Sequence, residues 1–153
     1  MRILGIRVSP RTIRYAILDW DGESATFVNQ NNENKIEFPA NVCSRGEKLH
    51  WMFQELDRIH SLHPGIEIVG IKEGEYRSSE TSSKREKASL EGLVQYWAFQ
   101  NNLPAETKIY GGIRGVKSGD ALEFCETNFG RTETYWTKEM ADALLSAWSL
   151  RVV

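Results

Sequence analysis

The spacing of apolar positions changes period several times along the chain, and each change marks an element. Arg2 to Val8 (RILGIRV) is a short apolar run that predicts a buried strand, and Thr12 to Leu18 (TIRYAIL) predicts a second. Ser9-Pro10-Arg11 between them suits an antiparallel hairpin. Asp21-Gly22 is a turn pair, so Ser24 to Val28 extends the meander as a third strand. Asn29 to Asn34 is a polar loop, with an edge segment expected at Lys35 to Phe38.

Helical spacing then takes over. Ser44-Arg45-Gly46-Glu47 is a capping box, in which hydroxyl and carboxylate satisfy backbone N–H groups that a helix start leaves bare. Leu49, Met52, Phe53, Leu56 and Ile59 follow on one face, and Pro64-Gly65 ends the run. Ile66 to Ile71 (IEIVGI) is β-branched and continuous, as in a parallel strand covered on both faces. Glu75 to Ser83 is a Ser-rich polar loop. A second capping box, Ser83-Lys84-Arg85-Glu86, predicts a helix with Leu90, Leu93, Val94, Trp97 and Ala98 inward. Lys108 to Tyr110 predicts a short strand before Gly111-Gly112, and Ser118 caps a helix to about Asn128. The closing helix is expected over Thr137 to Val153, with Ala141, Leu144, Leu145, Trp148 and Val152 as its apolar stripe.

Composition narrows the class. The 153 residues fit one domain without repeat or linker, large enough for a core of its own. A hydrophobic content of 41% with five Trp excludes a disordered tail, and no stretch is apolar for long enough to span a membrane. A net charge of −2 excludes a globally basic nucleic-acid binder, so any such site is local. Cys43 and Cys125 are too few for a disulfide framework and are expected as buried thiols in the cytoplasm. His60 and His63 lie one turn apart but lack a third ligand, and Gly111-Gly112 with Gly115 lacks the spacing of a phosphate loop.

Three stretches carry candidate chemistry. The opening RILGIRVSPRTIRYAIL is similar to the first hairpin of RuvC-like proteins, the Holliday-junction resolvases and their relatives. There a strand ending Gly-Ile-Asp is followed by a small turn and a second strand. IVGIKEG resembles that family's fourth strand, which ends in a glutamate, and EMADALLSAW resembles its final helix. The predicted order β-β-β-α-β-α-β-α-α agrees with the resemblance. Together they imply an α/β, ribonuclease-H-like mixed sheet, a three-strand antiparallel meander plus parallel strands, with helices on both faces.

The resemblance also implies a site. In the family these positions hold carboxylates around two divalent metals, which activate water and stabilise the leaving oxygen in phosphodiester cleavage. Carried over, Glu73 takes the fourth-strand position, with Glu75 as the alternative register; Asp142 takes the last-helix position, with Glu139 one turn before it. Glu73 and Asp142 are the metal ligands to expect, with Mg or Mn as the ion if the site is active. The first-strand acid is replaced by Arg7, which stays protonated and cannot ligate a cation. An ion pair of Arg7 with Glu73 or Asp142 is expected in its place. Asp19 and Asp21 sit at the far end of the second strand and do not substitute.

Blander readings accompany these. Glu139 falls in the first turn of its helix, where the helix dipole alone favours an acid. Lys84, Arg85 and Lys87, with Lys117, are the candidate nucleic-acid contacts, although Glu80, Glu86 and Glu91 also suit a solvated helix start. The function expected is a RuvC-like domain with a degenerate metal site, non-catalytic or weakly catalytic, binding DNA or RNA or assembling with a homodimer or protein partner. Two alternatives stand beside it: an active metal-dependent endonuclease using Glu73, Glu139 and Asp142, and an interaction module without nucleic acid, its interface marked by Trp20, Trp51 and Trp136. An actin-like nucleotide-binding role needs two such domains, and one is visible.

Overall fold

The structure, a computed structural model, describes residues 1–76 and 79–152. β1 (Arg2–Val8) pairs antiparallel with β2 (Thr12–Trp20) and parallel with β5 (Ile66–Lys72). β3 (Ala25–Phe27) and β4 (Lys35–Glu37) both pair with β2, at opposite ends of it. β6 (Ala105–Lys108) closes the other edge, so the main path runs β3-β2-β1-β5-β6. Asn29 fills the gap that β3 and β4 leave along β2. Its buried carboxamide accepts from Ile17 N at 2.7 Å and donates to Tyr15 O and Glu33 O, replacing strand hydrogen bonds.

One face of the sheet carries α1 (Arg45–Leu62) and α2 (Ser82–Gln100), the other α3 (Ala121–Phe129) and α4 (Lys138–Trp148). Strand alternation sorts the two cores. Leu4, Ile6, Ile13 and Tyr15 meet Met52, Leu56 and Trp97, whereas Ile3, Ala16 and Leu18 meet Leu144 and Leu145. α4 lies unusually close to the sheet. A Cβ on Gly5 would stand 2.1 Å from Ala143 O, and one on Gly70 would stand 2.4 Å from Ser146 O. These two glycines fix the height of α4 above β1 and β5.

Several expectations need correcting. The capping box at Ser44 forms as predicted, but the second helix is capped two residues earlier than expected, by Thr81, whose hydroxyl accepts from Lys84 N. Glu86 is thereby free to bind Lys48 and tie α2 to α1. The last strand begins at Ala105 because Val69 N already donates to Pro104 O; Tyr110–Gly112 is a 3-10 turn instead. Ser118–Asp120 is likewise 3-10, and α3 starts after it without a side-chain cap. α4 stops at Trp148. Arg151 folds back over the Trp148 ring at 3.5 Å, and Trp20 Nε1 captures Val152 O at 2.7 Å, leaving Val152 exposed and not in the stripe. Cys43 is exposed and Cys125 alone is buried, its thiol pushed up to about 12 by burial. The polar Glu75 to Ser83 loop includes residues 77 and 78, which lie outside the described residues. Among the described residues no helix is long and apolar enough to cross a membrane.

Candidate functional site

The closeness of α4 to Gly5 and Gly70 decides what lies just beyond them. Register pairs Gly5 with Gly70 and Ile6 with Ile71, so the next step sets Arg7 level with Lys72. Two residues on from a glycine, both side chains face the same side of the sheet, toward the first turns of α4. There Asp142 meets Arg7, with Nε 3.1 Å from Oδ2. The other oxygen, Oδ1, accepts from the Tyr110 hydroxyl. Burial, and then the Asp142 carboxylate, hold the Tyr110 phenol well above its usual range.

Lys72 is the second fixed cation of the site. Its ammonium is buried, donates to Glu73 O at 2.7 Å, reaches Glu75 Oε1 at 3.3 Å and lies 4.4 Å above the Tyr110 ring. Burial lowers its pKa. Arg7 Nη1 adds a bond to Lys72 O at 3.3 Å, stitching the two strand ends together.

A cleft of about 690 Å³ opens over this pair. Arg7, Glu73, Glu139 and Asp142 all line it, and so do Lys84 and Lys87. Arg85 and Lys117 do not; Arg85 is exposed and pairs with Glu80 at 3.4 Å. Lys87 lies over Gly74, where an added Cβ would be 3.3 Å from its Nζ. Burial, and then the Arg7 charge, pull Lys87 down to about 8. Glu91 beside it is buried, one oxygen has no partner, and its carboxyl is pushed up by burial.

The expected fourth-strand acid is therefore displaced. Glu73 lines the cleft, yet the position level with Arg7 belongs to Lys72, and Glu75 is spent on Lys72 and on Tyr110 N at 2.8 Å. The sequence held the clue. Leu4-Gly5-Ile6-Arg7 and Val69-Gly70-Ile71-Lys72 repeat one pattern, apolar-Gly-Ile-cation, and superposing them gives the register directly. Tyr110, Lys138 and Glu91 also line the cleft without having been singled out for it; no local motif marks them. Asp19 is held by Arg2 at 2.7 Å at the opposite end of β1, away from the cleft.

The divalent ion that the resemblance implies does not fit these residues. Both oxygens of Asp142 are engaged, and an arginine and a lysine occupy the two strand-end positions. Among the described residues no three of His, Cys, Asp or Glu group as a metal would require.

The three tryptophans expected at an interface are partly buried instead. Trp51 packs 4.8 Å from Phe38, Trp20 is tied to Val152, and Trp136 rests on the α4 core.

No protein-family model matches the sequence, and no curated protein matches it. Solved structures do resemble the fold. RuvC of Thermus thermophilus superposes at a TM-score of 0.74 with 17% identity, over 97% of this chain and 92% of its own. The same protein in complex with a Holliday junction substrate gives 0.73 at 14% identity, again over 97% and 92%. The yeast mitochondrial Holliday junction resolvase gives 0.60 at 16% identity, covering 97% of this chain and 76% of that one. The strand order, the helices on both faces and these superpositions agree: the chain has the RuvC-like form of the ribonuclease-H-like fold.

Proposed function

We propose that this chain is a RuvC-like domain that binds nucleic acid without cleaving it and without a divalent metal. The observation that carries the reading is the engagement of Asp142 by Arg7 on one oxygen and Tyr110 on the other. A carboxylate so placed already has its charge met by a guanidinium, and Lys72 adds a second positive charge where a metal cation would be repelled. Cleavage of a phosphodiester by the two-metal route needs those ions to activate water and carry the leaving oxygen.

Binding would fall to the cleft lysines. Lys84 bonds to Ser79 and Lys138 to Ser118, so neither is spent on a carboxylate, and Lys87 forms no ion pair among the described residues. Ammonium groups of this kind meet phosphate oxygens through charge-assisted hydrogen bonds and position a backbone without reading its sequence. Acids line the same cleft, so attraction is local, with a salt dependence set by the few phosphates the lysines meet.

The test is fluorescence anisotropy with a four-way junction and with single strands, in EDTA and then in magnesium. Equal binding in both, a loss of about tenfold or more in Lys84→Gln/Lys87→Gln, and intact DNA after incubation with manganese are expected. Binding that requires the metal, or strand scission that Asp142→Asn abolishes, would instead favour a nuclease acting through Glu73, Glu139 and Asp142.

A further inference from the structure

The charges at the end of β1 belong to a longer row. Arg7 pairs in register with Arg14 on β2, and Arg14 pairs with Lys35 on β4. With Lys72 level with Arg7, four cations stand side by side on one face of four adjacent strands. At ~4.8 Å between strands the row spans ~14 Å, about four nucleotides at the ~3.4 Å rise of a stacked strand. The cleft accounts for Arg7 and Lys72 but not for Arg14 and Lys35.

Arg14 is the unexplained member. It is 4% exposed, and its Nε and Nη1 are buried without an acceptor. Burial pulls its pKa down, Glu139 and Glu37 offset this only in part, and neither forms an ion pair with it among the described residues. Glu37 is taken by Lys35 at 2.8 Å. Buried guanidinium N–H groups are costly to leave unmade, and an arginine fork suits two oxygens of a phosphate. Tyr135 roofs the place. Its ring lies 3.9 Å from Lys35 Nζ and 5.8 Å from the Arg14 guanidinium, while the residue stays 64% exposed. It is held at φ 55°, a left-handed conformation that side chains other than Gly, Asn and Asp rarely adopt.

We propose that Arg14, Lys35 and Tyr135 form a second subsite, in which the two cations take a phosphodiester group of a nucleic-acid strand and the tyrosine ring stacks on the adjoining base. The subsite rests on the reading of this chain as a nucleic-acid binder and sets the strand's path, along the cation row from Lys72 toward Lys35. Stacking on an aromatic ring is tolerant of base identity, so the subsite should bind strands of different sequence alike.

The test uses oligothymidylates of two to eight nucleotides in EDTA, with affinity measured across a salt series. Wild type should gain affinity as the length passes about four nucleotides, and the dependence of log K on log salt should steepen by about 0.7 per added phosphate contact. Lys35→Gln should remove about one such increment for the long oligonucleotides and none for the shortest. Tyr135→Gly, which adopts the left-handed backbone without strain, should weaken the long ones about tenfold and melt no lower than wild type. If Lys87→Gln weakens binding while Lys35→Gln and Tyr135→Gly bind as wild type, the second subsite is overturned and the cleft reading stands. If only the Lys35 and Tyr135 variants weaken, the cleft reading falls and the subsite remains. Failure of wild type to bind any oligonucleotide overturns both.

Discussion

Arg7 Nε lies 3.1 Å from Asp142 Oδ2, yet its N–H is not aimed at that oxygen and makes no hydrogen bond. Arg7 and Asp142 are thus joined by charge more than by directed bonding. A buried pair of this kind roughly offsets its own desolvation when both partners are present, and becomes a liability when one is lost. Arg7→Met should therefore cost about 3–5 kcal/mol by leaving the Asp142 carboxylate uncompensated. Arg7→Met/Asp142→Leu should recover most of that loss. Chemical denaturation of the three proteins measures both steps, and a single variant within about 1 kcal/mol of wild type would show a pair no stronger than a surface contact.

The approach of α4 to the sheet makes a second prediction. A Cβ on Gly5 would collide with backbone at Ala143 O, which cannot rotate away, so Gly5→Ala should lose about 3 kcal/mol. Gly92 on α2 has open space around its Cβ position, and Gly92→Ala should gain about 0.5–1 kcal/mol from helix propensity. Melting temperatures of the two variants should move in opposite directions. A neutral Gly5→Ala would mean that α4 stands farther from β1.

Lys87 supplies the pH dependence. Held down to about 8 by burial and by the Arg7 charge, it is cationic below that value and loses its proton as pH rises through it. Nucleic-acid affinity should fall between about pH 7 and 9, well before an ordinary lysine near 10.4 would titrate. For stability the sign is opposite. The unfolded chain keeps the proton longer, so Lys87 adds stability as pH climbs from about 8 toward its unfolded value. Arg substituted for Lys87 stays charged throughout, and its binding curve should be flat over the same range. An unchanged slope in Lys87→Arg would assign the titration to another group.

Much of the fold was readable because local and global preferences agree. The apolar run Arg2–Val8 became β1 with the predicted ends, and the Ser44 capping box opened α1 as its hydroxyl and carboxylate require. The errors fall where tertiary contacts outbid local rules. Val152 looked like the next turn of an apolar stripe, but Trp20 drew its carbonyl out of the helix. Ser83 and Glu86 made a formal capping box, yet Thr81 capped the helix and Glu86 joined Lys48. At the site, Arg7 and Asp142 were legible from the order of motifs. Lys72 was legible only through the repeated apolar-Gly-Ile-cation pattern that gives its register, and the neighbouring glutamate, the more familiar strand-end residue, masks it. Arg14 carries no signal in the sequence, since its place in a cation row depends on pairing among four strands.

The central claim is that Arg7 and Lys72 stand in place of the metals of a RuvC-like site. Manganese titration by calorimetry, paired with melting temperatures in manganese and in EDTA, tests it on wild type and on Arg7→Asp/Lys72→Glu. The double variant puts two carboxylates beside Asp142, and like charges so placed should recruit a cation or take up protons. It should be destabilised in EDTA, bind manganese saturably and recover stability as RT ln(1 + [L]/Kd) requires. Wild type should give no saturable heat and no shift in melting temperature at millimolar manganese. A saturable site in wild type that Asp142→Asn abolishes would contradict the account.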